Sequence, residues 1–259
     1  MPNLKVTVAY DGTNYHGFQR QPRLPTVQEV LERALARLAG RPVRVIGASR
    51  TDAGVHAEGQ VVNFHVDWSI SVERVVPALN GQLPPDVAAL AAEEVHPSFH
   101  ARYAARSKTY RYTIYNAPVP SPFWRYWSWH VGVPLDAADM EEGLRYLVGE
   151  HDFTSFQDRG SPVASPVRKI TEARLIREGP LLRFYFSANG FLYHMVRIMV
   201  GTLVEVGLGK RAPSEVRDLL KARDRRLAGP TVPARGLCLV RVDYDAEVLG
   251  HEDMGHQAS

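Results

Sequence analysis

Cysteine is nearly absent: Cys238 is the single one in 259 residues. No disulfide can form within the chain, which excludes the small cross-linked secreted frameworks and fits a reducing compartment. Cys238 lies in the apolar run Leu237-Cys-Leu-Val240 and reads as a small core residue. Long apolar runs are missing too. None approaches the ~18 residues that signal a membrane span, so no membrane anchor is expected. No secretory signal precedes the first strand-like run, Leu4 to Val8, and the expected location is the cytoplasm. Nor does charge of one sign dominate. Lys and Arg number 31 against 28 Asp and Glu, a net of +3. An isoelectric point near 9.0 leaves room for a basic face without demanding one. What remains is the make-up of a globular chain, 45% hydrophobic and 23% charged. It is long enough to bury a sizeable core in one large domain or two ordinary ones.

Patterning orders the first half. Leu4, Val6 and Val8 alternate with Lys5, Thr7 and Ala9, which predicts a half-buried strand. The loop Thr13 to Pro22 holds Tyr15, Phe18, amide side chains and Arg20. Those are the stacking rings, donors and cation that contacts to single-stranded RNA use. Thr26-x-x-Glu29 is a capping box opening a helix, with Val27, Val30, Leu31, Ala34, Leu35 and Leu38 on one face and Gly40 as its stop. Strands follow at 43–48 and 59–66, then a helix over 71–79 that Pro77 shortens or kinks, then a strand at 87–95. The order β-α-β-β-α-β is the ferredoxin-like pattern. Residues 96–106 read as a linker. His96 and His100 have helical metal-ligand spacing, but Pro97 interrupts any helix there and no third ligand is near, so no metal is expected.

The second half carries the same order with additions. The strand Ser107 to Asn116 puts Tyr110, Tyr112 and Ile114 on one face, with Lys108 and Arg111 beside them. A short strand at 127–131 and a helix over 136–148, ended by Gly149, come next. The Gly/Ser/Pro-rich loop 157–166 carries Arg159, a candidate phosphate contact. A hairpin at 168–177 and 181–188 leads to an apolar helix over 191–206. There Arg197 is either a snorkelling surface residue or a buried cation awaiting a carboxylate, and spacing does not choose. A helix over 213–223 lies in the run 210–226, which holds seven Lys or Arg against three acids. Such a run is a solvated face or a grip on phosphates. The last strand is 237–244, and no structure is expected in the polar tail 246–259. The fold class is therefore α+β: two ferredoxin-like halves, 1–104 and 105–245.

One stretch has a chemistry of its own: Gly47-Ala-Ser-Arg-Thr-Asp-Ala-Gly-Val-His-Ala57. Asp-x-Gly is ordinary turn chemistry, because Asp bonds its own backbone and Gly accepts positive φ. Here, however, Arg50, Thr51, Asp52 and His56 crowd a small-residue loop between two strands, the setting in which scaffolds present catalytic groups.

These residues resemble the tRNA pseudouridine synthase A (TruA) family. The likeness runs through Tyr10-Asp-Gly-Thr-x-Tyr-x-Gly-Phe-Gln-Arg-Gln21, Thr26-Val-Gln-Glu29, Gly47-x-x-Arg-Thr-Asp-Ala-Gly-Val-His56 and Lys108-x-Tyr-Arg-Tyr112. It continues through Asp152-Phe-Thr-Ser-Phe156, Phe191-x-x-x-Met-Val-Arg197 and Gly236-Leu-x-Leu-Val240. The resemblance implies two ferredoxin-like halves with sheets joined across a central cleft. It implies an isomerase that converts uridine to pseudouridine at positions 38, 39 and 40 of the tRNA anticodon stem-loop. It also implies a homodimer binding RNA across both subunits, with no metal or cofactor. Asp52 matches the nucleophile. Attack at C6, attack at C1′ and proton removal at C2′ all remain open to it. Tyr110 matches the ring that stacks on the target uracil, and Arg50 the residue that fills the space of the extruded base. Arg197 matches the arginine that the family sets against the catalytic carboxylate, and Leu239 a residue packing on the uracil. Asp52, Tyr110 and Arg197 are then expected to converge, with Asp52 and Arg197 within roughly 4 Å. The alternatives are a synthase acting on another tRNA site and a catalytically silent RNA-binding protein.

Overall fold

A computed structural model describes residues 1–160 and 164–249. The chain folds as two compact units, one holding 1–53, 57–106 and 241–249, the other 54–56 and the described residues of 107–240.

The first unit contains β1 (Asn3–Tyr10), α1 (Val27–Ala39), β2 (Ile46–Gly47), β3 (His56–His65), α2 (Val72–Asn80) and β4 (Val87–Val95). Its strands lie in the order β4-β1-β3-β2, all antiparallel. Leu4, Val6, Val8 and Tyr10 of β1 are buried, as the alternation predicts. Thr26 caps α1 by accepting from Glu29 N at 3.4 Å, and Gly40 closes it at φ +67°. Pro77 does not stop α2, which runs three residues past it. The predicted strand 43–48 shrinks to two residues for a definite reason. Pro42 has no N–H to give, and α1 side chains take the backbone groups of Val45: its N donates to Glu32 Oε1 at 3.2 Å and its O accepts from Gln28 Nε2 at 3.0 Å.

Residues 96–104 are not a free linker. Phe99 and Ala101 are core residues. Buried asparagines tie them down: Asn3 Nδ2 donates to Phe99 O at 3.0 Å, and Asn63 Oδ1 accepts from Ala101 N at 2.9 Å. His96 and His100 spend Nδ1 locally, on Ser98 Oγ and on the N–H groups of Arg102 and Tyr103. The expected structureless tail also begins with structure. Residues Ala246–Leu249 form α6, and Val248 and Leu249 pack with Val242 and Tyr244 on this same cluster. The remainder of the tail, 250–259, lies outside the described residues.

The second unit contains β5 (Ala105–Asn116), β6 (Trp129–Val131), α3 (Ala137–Arg145), β7 (Gly149–Asp152), β8 (Val167–Glu178), β9 (Leu181–Ala188), α4 (Met195–Gly207) and α5 (Glu215–Ala222). The first four residues of β10 (Leu237–Tyr244) belong to it as well. The strand order is β10-β5-β9-β8-β7, with β6 running parallel to the end of β5. Its first four places repeat the β4-β1-β3-β2 order of the first unit, so the ferredoxin-like, α+β reading holds for both. The helix expected over 136–148 starts where Asp136 caps it but ends at Arg145. Gly149, at φ +115°, then opens β7, an edge strand too short and polar to register as a period.

The helix expected over 191–206 begins four residues late. His194 adopts φ +60° and breaks the helical backbone just before Met195. From there α4 is apolar on every side and almost wholly buried, as a helix without a polar face must be. Gly201 lets the segment 229–232 lie directly on it. A Cβ there would collide with Pro230 O, and Gly229 answers from the other side, where a Cβ would come within 2.6 Å of Thr202 N. Thr202 Oγ1 fastens the crossing by accepting from Gly229 N at 2.9 Å.

Candidate active site

The Asp52 loop is held from several sides within the first unit. Ala48 N donates to Val61 O at 2.8 Å. The buried Gln60 amide bridges Ser49, accepting from its N at 3.1 Å and donating to its O at 2.7 Å. Thr51 is buried, its hydroxyl 2.7 Å from Tyr10 OH. Its carbonyl accepts from Phe18 N at 3.0 Å. Gly17 packs beneath at φ +89°, where a Cβ would come within 2.7 Å of Thr51 O. Arg50 is exposed and Asp52 half-buried. A fixed backbone thus carries two outward charged side chains, the form that pre-organised catalysis needs.

The 13–22 loop differs from its RNA-stacking expectation. Tyr15 and Phe18 are buried at 7% and 2% exposure, and Tyr15 OH donates to Asp86 Oδ1 at 2.6 Å. The Phe18 ring packs beside Gly47 at the start of the Asp52 loop, and neither ring is free to stack on a base. His56, which the sequence grouped with Asp52, is also structural. His56 belongs to the second unit, where its Nε2 faces two carbonyls, Tyr126 O at 3.0 Å and Arg235 O at 3.2 Å. Carbonyls only accept, so that nitrogen carries the proton.

The other expected site residues lie in the second unit. Tyr110 sits on β5 with 7% exposure, and the Phe191 ring meets it edge to face at 5.1 Å and 84°. Arg197, in the first turn of α4, is half-buried, and its Nε donates to Val232 O at 2.7 Å. The guanidinium is thus anchored to the backbone of the 229–232 segment. Leu239 is fully covered on β10. Tyr112 braces the same carbonyl-bearing segment, donating from its OH to Pro233 O at 2.7 Å. Burial pushes the Tyr112 hydroxyl far up, against the pull of the Arg197 and Arg235 cations, so it stays a donor.

A second cluster escaped the sequence. Asp158 accepts from Arg225 Nε at 2.8 Å, from Thr231 Oγ1 at 2.7 Å and from His194 Nδ1 at 2.8 Å. Burial alone would raise this carboxyl. The three hydrogen bonds and the Arg225 charge outweigh it and pull it down to about 2. Ionised at neutral pH, Asp158 can only accept, so His194 Nδ1 carries a proton. The carboxylate thereby ties the residue before α4 to the segment whose next residue, Val232, holds Arg197. The basic run 210–226 is largely committed in the same way. Arg211 pairs with Glu205 and Glu215, Arg223 with Asp152, and Arg226 with Asp224. Only the run's charge was visible in the sequence; Asp152 and Asp158 come from a distant segment, while Glu205, Glu215 and Asp224 lie in or beside the run itself.

The chain belongs to the tRNA pseudouridine synthase family, whose pattern it matches over residues 6–104 and 144–245. The matched stretches include Arg50, Asp52, Arg197 and Leu239, while Tyr110 falls between them. Among its relatives is the tRNA pseudouridine synthase A of Moorella thermoacetica, 54% identical over 246 residues, which span 94% of this chain and 100% of that protein. That of Acetivibrio thermocellus is 48% identical over 244 residues, again 94% and 100%. That of Geobacillus kaustophilus is 47% identical over 250 residues, 96% of each chain.

Proposed function

We propose that this protein isomerises uridine to pseudouridine at positions 38, 39 and 40 of the tRNA anticodon stem-loop, with Asp52 as the nucleophile. Family membership joined to the rigid Arg50–Gly54 loop carries this reading. The reaction breaks the N1–C1′ bond, turns the uracil and joins C5 to C1′. A proton leaves C5 and N1 ends protonated, so nothing is oxidised and no group departs. A carboxylate suffices, provided it is ionised, and the Arg197 cation favours that form. Attack by Asp52 at C6, attack at C1′ and proton removal at C2′ are all compatible with this outcome. Tyr110 stacks on the target uracil. Arg50 takes the place of the extruded base, offsetting an unstacking cost of a few kcal/mol. Leu239 packs on the base when the site opens to it. The working unit is a homodimer in the cytoplasm, with the stem-loop bound across both subunits.

Incubating unmodified tRNA with the purified protein and mapping pseudouridine tests this directly. The expected product appears at positions 38–40 and is abolished by Asp52→Ala, which leaves tRNA binding in place. Product elsewhere would redirect the specificity, and substantial turnover by the Asp52→Ala protein would sink the mechanism. Binding with no product in any tRNA would favour a silent RNA-binding protein.

A further inference from the structure

A cavity of about 630 Å³ opens in the second unit, lined by Asp158, Arg159, Tyr193, His194 and the run Arg223 to Arg226. Four arginines face two aspartates there, a net of two positive charges. Both carboxylates are already engaged. Asp158 is held by His194, Thr231 and Arg225. Asp224 is gripped by its neighbour Arg226, whose NH2 lies 2.6 Å from Oδ2 and whose Nε lies 3.0 Å from Oδ1. Two cations are left to address an incoming anion. Arg159 is exposed and makes no ion pair among the described residues. Arg223 pairs with Asp152 at 3.1 Å but keeps 67% of its side chain exposed.

The cavity is built under backbone strain. Three non-glycine residues among those described have positive φ, and two of them, His194 at +60° and Arg223 at +51°, are in this wall. Such conformations persist where the surroundings over-determine them, and they collect at ligand clamps. The effect here is visible beside His194. Its ring, fixed through Nδ1 by Asp158, backs the Tyr193 ring at 3.8 Å and 26°, leaving Tyr193 37% exposed as a supported aromatic face. The same short segment serves the expected chemistry, since Phe191 touches the Tyr110 ring and Arg197 lies one turn beyond His194.

We propose that this cavity is an RNA subsite beside the target nucleotide, seating a backbone phosphodiester between Arg159 and Arg223 and stacking an unpaired base on Tyr193; this deepens the reading of RNA as substrate and rests on it. Phosphate beside an exposed π-face is what an unpaired stretch of RNA offers. The volume lies in the range of sites for small organic groups. An acidic peptide would satisfy the arginines and leave the Tyr193 face unused.

The test is tRNA binding by the full chain across a KCl series, which does not depend on turnover. In Arg159→Gln/Arg223→Asn, where Asn tolerates the left-handed backbone at 223, Kd is expected to rise about tenfold or more. The slope of log K against log salt should shrink by about 1 to 2, as expected for two lost phosphate contacts. Tyr193→Ala should weaken binding about 5- to 100-fold, and Tyr193→Phe, which keeps the face, should bind like the original protein. The subsite is overturned by an unchanged Kd and slope in the double variant, or by Tyr193→Ala binding as well as Tyr193→Phe. An equal loss in Arg145→Gln, an exposed cation on α3, would reduce the effect to general charge and also overturn it. So would variants that lose a poly-glutamate peptide but keep tRNA. Pseudouridine mapped in tRNA alongside unaltered variant affinities would leave the isomerase standing and remove only the subsite. Absence of product with altered affinities would do the reverse.

Discussion

Asp158 joins three segments of the chain: its own loop, the residue before α4 and the 225–231 stretch. Its two oxygens take three donors, from an imidazole, a hydroxyl and a guanidinium. An amide in its place could keep the shape but would turn an N–H toward groups that are themselves donors. Asp158→Asn is therefore expected to lower stability at neutral pH, on the order of 1 kcal/mol once solvent screening is allowed for. The sign with pH follows from the depressed carboxyl, at about 2 when folded against an ordinary 3.8. Its contribution is complete above about pH 4 and fades as pH falls toward 2. Urea midpoints of both proteins at pH 7, 4 and 3 check this. A gap that stays constant down to pH 3 would mean the charge is not what matters. At this scale the sequence was partly legible. The Arg50-Thr51-Asp52 block announced itself because its residue types are crowded locally. Asp158 did not, because its donors come from sequence positions 194, 225 and 231 and no local pattern joins them.

At the scale of elements, the crossing of α4 by residues 229–232 gives Arg197 a backbone acceptor. Gly201 and Gly229 allow the approach, Thr202 pins it, and Val232 O then receives the arginine. Gly201→Ala would push Pro230 off the helix. An overpacked core of this kind costs about 1–3 kcal/mol, and the displaced carbonyl should also lower single-turnover pseudouridine formation. Chemical denaturation and a single-turnover assay measure the two effects, and a fully active, fully stable Gly201→Ala protein would contradict the crossing's role. Element type was readable from period and capping: Thr26 and Asp136 cap as their positions predict. Element ends were less so. The strand at 43–48 failed because helix side chains satisfy Val45, and the start of α4 was displaced by the left-handed His194. Both are decided by neighbours remote in sequence.

For the molecule as a whole, a modest net charge of +3 conceals how its cations are used. Most of the run 210–226 neutralises carboxylates of its own unit, so total charge is a poor guide to RNA affinity. Exposed cations such as Arg50 and Arg159 are the ones available to phosphate. Affinity for tRNA is expected to fall steeply between about 50 and 200 mM KCl, each neutralised phosphate adding roughly 0.7–0.9 to the log–log slope. Filter binding across that range checks it, and salt-insensitive binding would count against an RNA substrate held by its backbone.

The sequence by itself determined the repeated ferredoxin-like element order, the absence of any disulfide and the family to which the Asp52 loop belongs. Those features follow from local periodicity, composition and contiguous motifs. Tertiary structure alone decided that Tyr15 and Phe18 are buried, Phe18 against the Asp52 loop and Tyr15 on Asp86. It alone decided that His56 is held by carbonyls, that Arg197 donates to Val232 O, and that Asp158, His194 and Arg225 form one cluster. Each of these depends on which distant backbone or side chain comes within hydrogen-bonding or packing distance, and chain order does not encode that distance.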